Sequence, residues 1–239
     1  MPRHAPLPLC LASAGALMLA ACSSATTPTP TPSHATFPTP SPTPSPTAPP
    51  PDTLTVAITA SGVGTFDLAA IPVANLKNDA KYHGAASVVA HFVTHRSGRT
   101  LGSLESVPVN LAPGETLAVT ADCTDACDGA TSVTVTVSVG SWPTSIGAVF
   151  ATIAATYSCG TCRSGHGFGN VKGTLKPSST LASGDPVVGF AVCRNKGGAI
   201  LGGGSEQFVW QSATSLSVDV PVVLNAAPSS CVLGASTGW

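Results

Sequence analysis

Cysteine and histidine are the residue types in this chain whose spacing could do chemistry. There are 8 cysteines and 6 histidines. Cys159 and Cys162 form one Cys-Gly-Thr-Cys step, and adjacent thiols that tune each other's pKa can run thiol–disulfide exchange. That chemistry normally places the first thiol at a helix N-terminus, whereas the flanks of Cys159 read as strand and glycine loop. Zinc would need more than the single Cys-x-x-Cys step present. Disulfides are the expectation for Cys123, Cys127, Cys159, Cys162, Cys193 and Cys231. If pairing respects the two strand units described below, Cys123 joins Cys127, and the other four allow three arrangements. The favoured one is Cys159–Cys162, stapling a glycine-containing turn, with Cys193–Cys231, tying a central strand to the last one.

His91 and His95 lie four apart, but no Glu follows His91 as in the H-E-x-x-H zinc motif. On a strand their Cα atoms stand ~13 Å apart, too far to grip one ion unaided. They are expected on a solvated face with Val89 and Val93, opposite Val88, Ala90 and Phe92. His83 and His166 sit in glycine-flanked loops. Gly234-Ala235-Ser236-Thr237-Gly238 spells G-x-S-x-G without the strand-to-helix elbow that the motif needs. The run from Gly167 to Gly173 is one residue too long for G-x-G-x-x-G and has no βαβ unit around it. Gly202-Gly203-Gly204 is expected to permit a bulge or a wide turn. No metal or cofactor is expected.

One more cysteine has a different chemistry. Leu19-Ala20-Ala21-Cys22 closes a short apolar run from Leu7 to Ala21 that follows Arg3 and His4. The run is shorter than the ~20 apolar residues of a spanning helix. Small residues before a cysteine suit a signal peptidase, and the thiol suits a lipid-transferring enzyme. The segment reads as the lipobox of a bacterial lipoprotein, with residues 1–21 removed and Cys22 acylated by palmitate-like chains. From Thr26 to Pro51 the chain is almost wholly Thr, Ser, Pro and Ala and holds 11 of the 22 prolines. Proline lacks the donor that a helix or ladder needs, so residues 22–51 are expected to be an extended spacer at about 3.1 Å per residue. Asp52, the first acidic residue, marks its end.

With 10 Lys+Arg against 11 Asp+Glu, the charge gives no reason to expect nucleic acid as a partner. The membrane is engaged through the N-terminal lipid alone, since no second apolar run approaches a span. The expected location is the extracytoplasmic face of the cell membrane.

Residues 52–239 carry a strand pattern throughout. Val133, Val135, Val137 and Val139 alternate with Thr or Ser, and Leu117, Val119 and Ala121 repeat the period of two, as do Val88, Ala90 and Phe92. The chain also repeats itself. Gly98 and Leu101-Gly102 recur 100 residues later as Gly198 and Leu201-Gly202, and Val109 as Val209. At an offset of 99, Leu76-Lys77 recurs as Leu175-Lys176, and Leu117-Ala118-Val119 as Leu216-Ser217-Val218. The expectation is an all-β protein of two tandem antiparallel Ig-like β-sandwich domains, 52–142 and 143–239, with a boundary near Gly140 to Gly147.

Asn75-Leu76-Lys77-Asn78, Val88 to Phe92, Ser97 to Gly102, and Leu111-Ala112-Pro113-Gly114-Glu115-Thr116 together resemble the FxLYD-type immunoglobulin-like module of bacterial lipoproteins. The resemblance covers about residues 66–121, and more weakly 168–220. It implies a surface interaction module without a shared catalytic site. The expected function is a non-enzymatic binding module, its partner an envelope protein or wall component. The alternatives are an envelope enzyme or metal or redox handler using His83, His91 and His95 or Cys159 and Cys162, and a purely structural spacer.

Overall fold

Strands, and no α-helix, make up the described residues of the computed structural model, which are 51–123, 127–147, 149–163, 166–211 and 214–237. The lipobox, Cys22 and the spacer up to residue 50 lie outside them. The strands are β1 (Val56–Phe66), β2 (Ala69–Asn78), β3 (Ala85–Arg96), β4 (Arg99–Glu105), β5 (Val109–Leu111), β6 (Thr116–Thr120), β7 (Ser132–Ser141), β8 (Phe150–Arg163), β9 (His166–Pro177), β10 (Pro186–Arg194), β11 (Ile200–Val209), β12 (Leu216–Leu224) and β13 (Ser230–Thr237).

They form three antiparallel sheets. The first is β1-β2-β6; in the second, β3 pairs with β4 and β5 and also with β7; the third runs β13-β10-β11-β12-β9-β8. The period-two expectations are met. Val88, Ala90 and Phe92 are fully buried, and the four β7 valines pack half-buried against the same core. Ser97 and Gly98 both have positive φ, the requirement of a two-residue type I′ hairpin turn, whose twist matches that of the strands.

The sequence repeat is a repeat of strand pairing. In the first half β2 pairs with β1 and β6, and β3 with β4 and β7; in the second, β9 pairs with β8 and β12, and β10 with β11 and β13. Leu76 lies opposite Leu117, and Leu175 lies opposite Leu216, so the matches at offset 99 are one cross-strand pair made twice. Val109 and Val209 fall on the unrelated strands β5 and β11, so that match carries no structural equivalence.

Residues 49–239 form one compact unit, and one of its two large cores draws residues from both sides of the stretch expected as a domain boundary. One core joins Ala74, Leu76, Leu117 and Val119 to Val88, Phe92 and Leu111, and Val188 and Phe190 of β10 complete it from the second half. β10 is buried on both faces, since Val187, Ala191 and Cys193 point into the other core with Val171, Leu175, Val220 and Leu233. That second core lies inside the six-stranded sheet, whose outermost strands approach each other where the Thr152 hydroxyl donates to the Leu233 carbonyl.

Glycine makes the junction possible. A Cβ on Gly64 would sit 1.9 Å from the Val223 carbonyl oxygen and 2.7 Å from the Gly202 Cα. Gly202-Gly203-Gly204 therefore lies within β11 and not in a wide turn. The register does slip beside it, between Cys193 and Arg194, but the larger reason for the run is that β1 and β12 press against bare backbone.

Candidate functional site

The outer face of the second sheet gathers the polar side chains of three strands. Alternation on β3 sends His91 and His95 to this face, and the register places Glu105 of β4 opposite His91. On the other side β7 contributes Thr134 and Ser138. His91 Nδ1 lies 3.0 Å from Glu105 Oε1, and His91 Nε2 lies 2.9 Å from Ser138 Oγ. His95 Nε2 lies 3.0 Å from Thr134 Oγ1, with Thr100 Oγ1 3.4 Å from its Nδ1. Each imidazole thus bridges two neighbouring strands, and no shared ion is needed to explain either.

Hydroxyl, imidazole and carboxylate stand here in the order that activates a nucleophile. Such a chain acts on an acyl group when water is excluded and donors await the developing oxyanion. The Glu105 side chain is 68% exposed and that of His91 38%. β3 is paired on both sides at this level, so its N–H groups are committed to ladders. What the face offers chemically is a rigid, open array of hydrogen-bonding groups. The spacing of Glu105 and Ser138 from His91 did not point to this grouping beforehand.

His83 has a different role. Its Nδ1 lies 2.9 Å from Asp52 Oδ2, and the same carboxylate accepts the N–H groups of Lys81 and Tyr82 at 2.7 and 2.9 Å. The His83 hydrogen bond first, then the Lys81 N–H, hold the Asp52 carboxyl at about 2, below its ordinary 3.8. The residue that ends the spacer is thereby fixed to the β2–β3 loop.

Two of the segments that carry the family resemblance, the end of β2 at Asn78 and the turn from Leu111 to Glu115, also meet. Asn78 is buried, and its Nδ2 donates to the carbonyls of His83, Leu111 and Ala112 while its Oδ1 accepts from the Ala80 N–H. Its N–H donates to the Glu115 carbonyl. Glu115 N–H bonds back to Ala112, and Gly114 has φ 73°, as position i+2 of a type II turn with Pro at i+1 requires. Glu115 Oε2 accepts the Ala112 N–H at 2.7 Å. Burial raises the Glu115 carboxyl above 4.5, and that hydrogen bond opposes the shift.

Cys123–Cys127 and Cys193–Cys231 are disulfides, the pairs expected. Cys193 lies directly opposite Cys231 on β10 and β13 with Cα atoms 4.1 Å apart, the spacing of a non-hydrogen-bonded antiparallel pair. Cys159 is disulfide-bonded as well, on a strand whose register slips at Gly160. The side chains of Cys162 and His166 lie outside the described residues. Among the described residues no three His, Cys, Asp or Glu side chains gather as a metal site, and no helix is long and apolar enough to cross a membrane. No family model, curated protein or solved structure matches the chain.

Proposed function

We propose that this chain is a lipid-anchored protein of the bacterial envelope, held through Cys22 and projected by residues 22–51, whose body of two fused Ig-like units of the FxLYD type serves as a non-enzymatic binding module. The carrying observation is the Leu19-Ala20-Ala21-Cys22 step just ahead of the Thr/Pro tract. Strand pairing supports the Ig-like reading, because a three-strand sheet facing a hairpin with one further strand is the core of such sandwiches. The Asn78 node supports the family reading, since it gives physical work to the residues that suggested it. An envelope protein or a wall component is the partner, met through the open strand faces and loops.

Metabolic labelling with a fatty-acid analogue should mark the wild-type chain and leave Cys22→Ser unmarked; equal labelling of both would remove the anchor. Crosslinking in intact cells from position 136, on the outer face, should capture the same envelope partner reproducibly. Substrate turnover by the purified chain that disappears in His91→Ala would replace the binding reading with an enzymatic one.

A further inference from the structure

A cavity of about 350 Å³ lies between the first and third sheets, lined by Ile71, Asp122, Thr161, Phe168, Asn170 and Ser205. It belongs neither to the histidine face nor to the Asn78 node. Phe168 and Asn170 stand two apart on β9 and so point to one face of the third sheet. Thr161 of β8 lies opposite Phe168, and Pro221 of β12 lies opposite Asn170. The β8 register skips Gly160, so Thr161 takes the place that a residue without a side chain would otherwise hold; a bulge re-aims side chains in this way. Disulfides fix the backbone on both rims: Cys123, next to Asp122, is bonded to Cys127, and Cys159, next to Gly160, is disulfide-bonded as well.

The lining is open to solvent, and its polar groups are unspent. Phe168 is 44% exposed, its ring perpendicular to that of Phe66 with centroids 5.5 Å apart. Tyr82, also exposed, has Lys81 Nζ over its ring at 4.9 Å; Phe168 has no such cover among the described residues. Asp122 and Thr161 are exposed, and Asn170 and Ser205 are half-buried. Asn170 gives Nδ2 to Asp219 Oδ1 at 2.7 Å, which leaves its own Oδ1 to accept. The Asp122 carboxylate and the Thr161 and Ser205 hydroxyls have no hydrogen-bond or ion-pair partner among the described residues. No Lys or Arg lines the cavity.

A flat ring bordered by two acceptors and two hydroxyls selects its visitor by chemistry. An aliphatic ligand would leave both acceptors unpaired. A cation would use the ring and the carboxylate and leave the hydroxyls idle. A pyranose has an apolar C–H face and a rim of groups that both donate and accept. We infer that this cavity binds one pyranose residue of a glycan. The C–H face lies on the Phe168 ring, sugar hydroxyls donate to Asp122 and Asn170 Oδ1, and sugar oxygens accept from Thr161 and Ser205. The volume falls at the lower end of the range for small-molecule sites. The inference rests on the binding-module reading and narrows its wall component to a glycan; it does not depend on the lipid anchor.

The test is NMR titration of the full-length protein with the methyl β-pyranosides of glucose, mannose and N-acetylglucosamine, alongside sorbitol and tetramethylammonium. At least one pyranoside should shift the Phe168, Asn170 and Ser205 amides saturably with a Kd of about 1 mM. Sorbitol, which has hydroxyls but no ring face, should bind at least roughly tenfold more weakly. Phe168→Leu keeps apolar bulk without a flat ring, and Asp122→Ala removes an acceptor at an exposed position. Each should weaken that pyranoside at least roughly tenfold and leave the amide spectrum away from the cavity unchanged. Wild-type affinity in Phe168→Leu, equal binding of sorbitol, or tetramethylammonium binding in place of the sugars would each overturn the assignment, as would no saturable shift from any pyranoside. Crosslinking from position 136 tests the binding-module reading on another face, so the two failures are distinguishable.

Discussion

Leu76 facing Leu117 and Leu175 facing Leu216 occupy the same place in two halves with the same strand pairing, yet the halves are held together differently. In the first, the end of β2 is Asn78, whose carboxamide ties the β2–β3 loop to the Ala112–Glu115 turn. One position after Lys176, at the same place in the second half, stands Pro177, which has no N–H to give; the Pro-Gly-Glu turn is missing there too. The second half instead carries Cys193–Cys231 across β10 and β13, where the first pairs Val93 with Thr134. Its β11 also pairs with β12, welding six strands into one sheet, whereas the first half leaves two sheets apart. A cross-strand disulfide and extra ladder bonds in one copy stand where the other has a buried polar node. The hairpins differ as well: two residues turn the first, and five turn the second, with Asn195 closing the loop through the Ala199 N–H.

The sharpest way to break the comparison is at the junction. Gly64→Val would drive a side chain into the Val223 carbonyl, and the backbone there cannot yield without parting β1 from β12. A loss of about 4 kcal/mol or more is expected, lowering the melting midpoint by roughly 10 °C. Because Val188 and Phe190 complete the first core, both halves should melt in a single transition before and after the change. Two separated transitions in the wild type by calorimetry would show the halves to be independent.

The two stabilising devices can then be removed in turn. Replacing Cys193 and Cys231 together by Ala opens a loop with a sequence separation of 38, worth about 4 kcal/mol on a chain-entropy reckoning. The Cys123–Cys127 pair, at a separation of 4, should cost about half of that by the same reckoning. Asn78→Leu leaves three carbonyls and one N–H without their partner and should cost about 3 kcal/mol. Pro177→Ala, at the equivalent place, should change denaturant unfolding by less than about 0.5 kcal/mol. A Pro177 effect as large as the Asn78 effect would mean the halves share a device after all.

The smallest effects are those of titration. The Glu115 carboxyl is raised by burial, so its charged form is disfavoured in the folded chain, and that cost is present at neutral pH and vanishes as pH falls below the ordinary value. Glu115→Gln should therefore be at least as stable as wild type at pH 7, by roughly 0.5 kcal/mol, and the difference should close towards pH 4. Asp52 runs the other way. Its carboxyl is held at about 2 against 3.8, so the clamp on Lys81, Tyr82 and His83 contributes above about pH 4 and is lost as pH falls through about 2. The melting midpoint of wild type should fall more steeply than that of Asp52→Asn between those values.

Much of the fold was legible in the pattern. Alternation over Thr131 to Val139 and over Val88 to Phe92 could be satisfied only by strands with one buried face, because the side-chain period of a strand is two. The repeat at offsets of 99 and 100 located corresponding strands, and dividing the cysteines between the two units singled out Cys123–Cys127 and left Cys193–Cys231 in the favoured one of three arrangements. The site was less legible. A two-residue turn at Ser97-Gly98 sets Arg96 opposite Arg99 and, carried straight along the hairpin, would put Leu104 beside His91. A bulge between Thr94 and His95 slips the register by one residue, so Leu104 faces Phe92 and the core, and Glu105 reaches His91.

The sequence by itself determined the all-strand character and the duplicated order of corresponding strands, because each depends on local period or on near-identical neighbours along the chain. The tertiary structure alone decided that the two halves share a core, that three consecutive glycines serve close packing and not a turn, and that His91 meets Glu105 and Ser138. Those outcomes depend on a one-residue slip and on which backbones come within a side chain's width of each other. Short-range periodicity is the same whether such contacts form or not, so only the packed chain could choose among them.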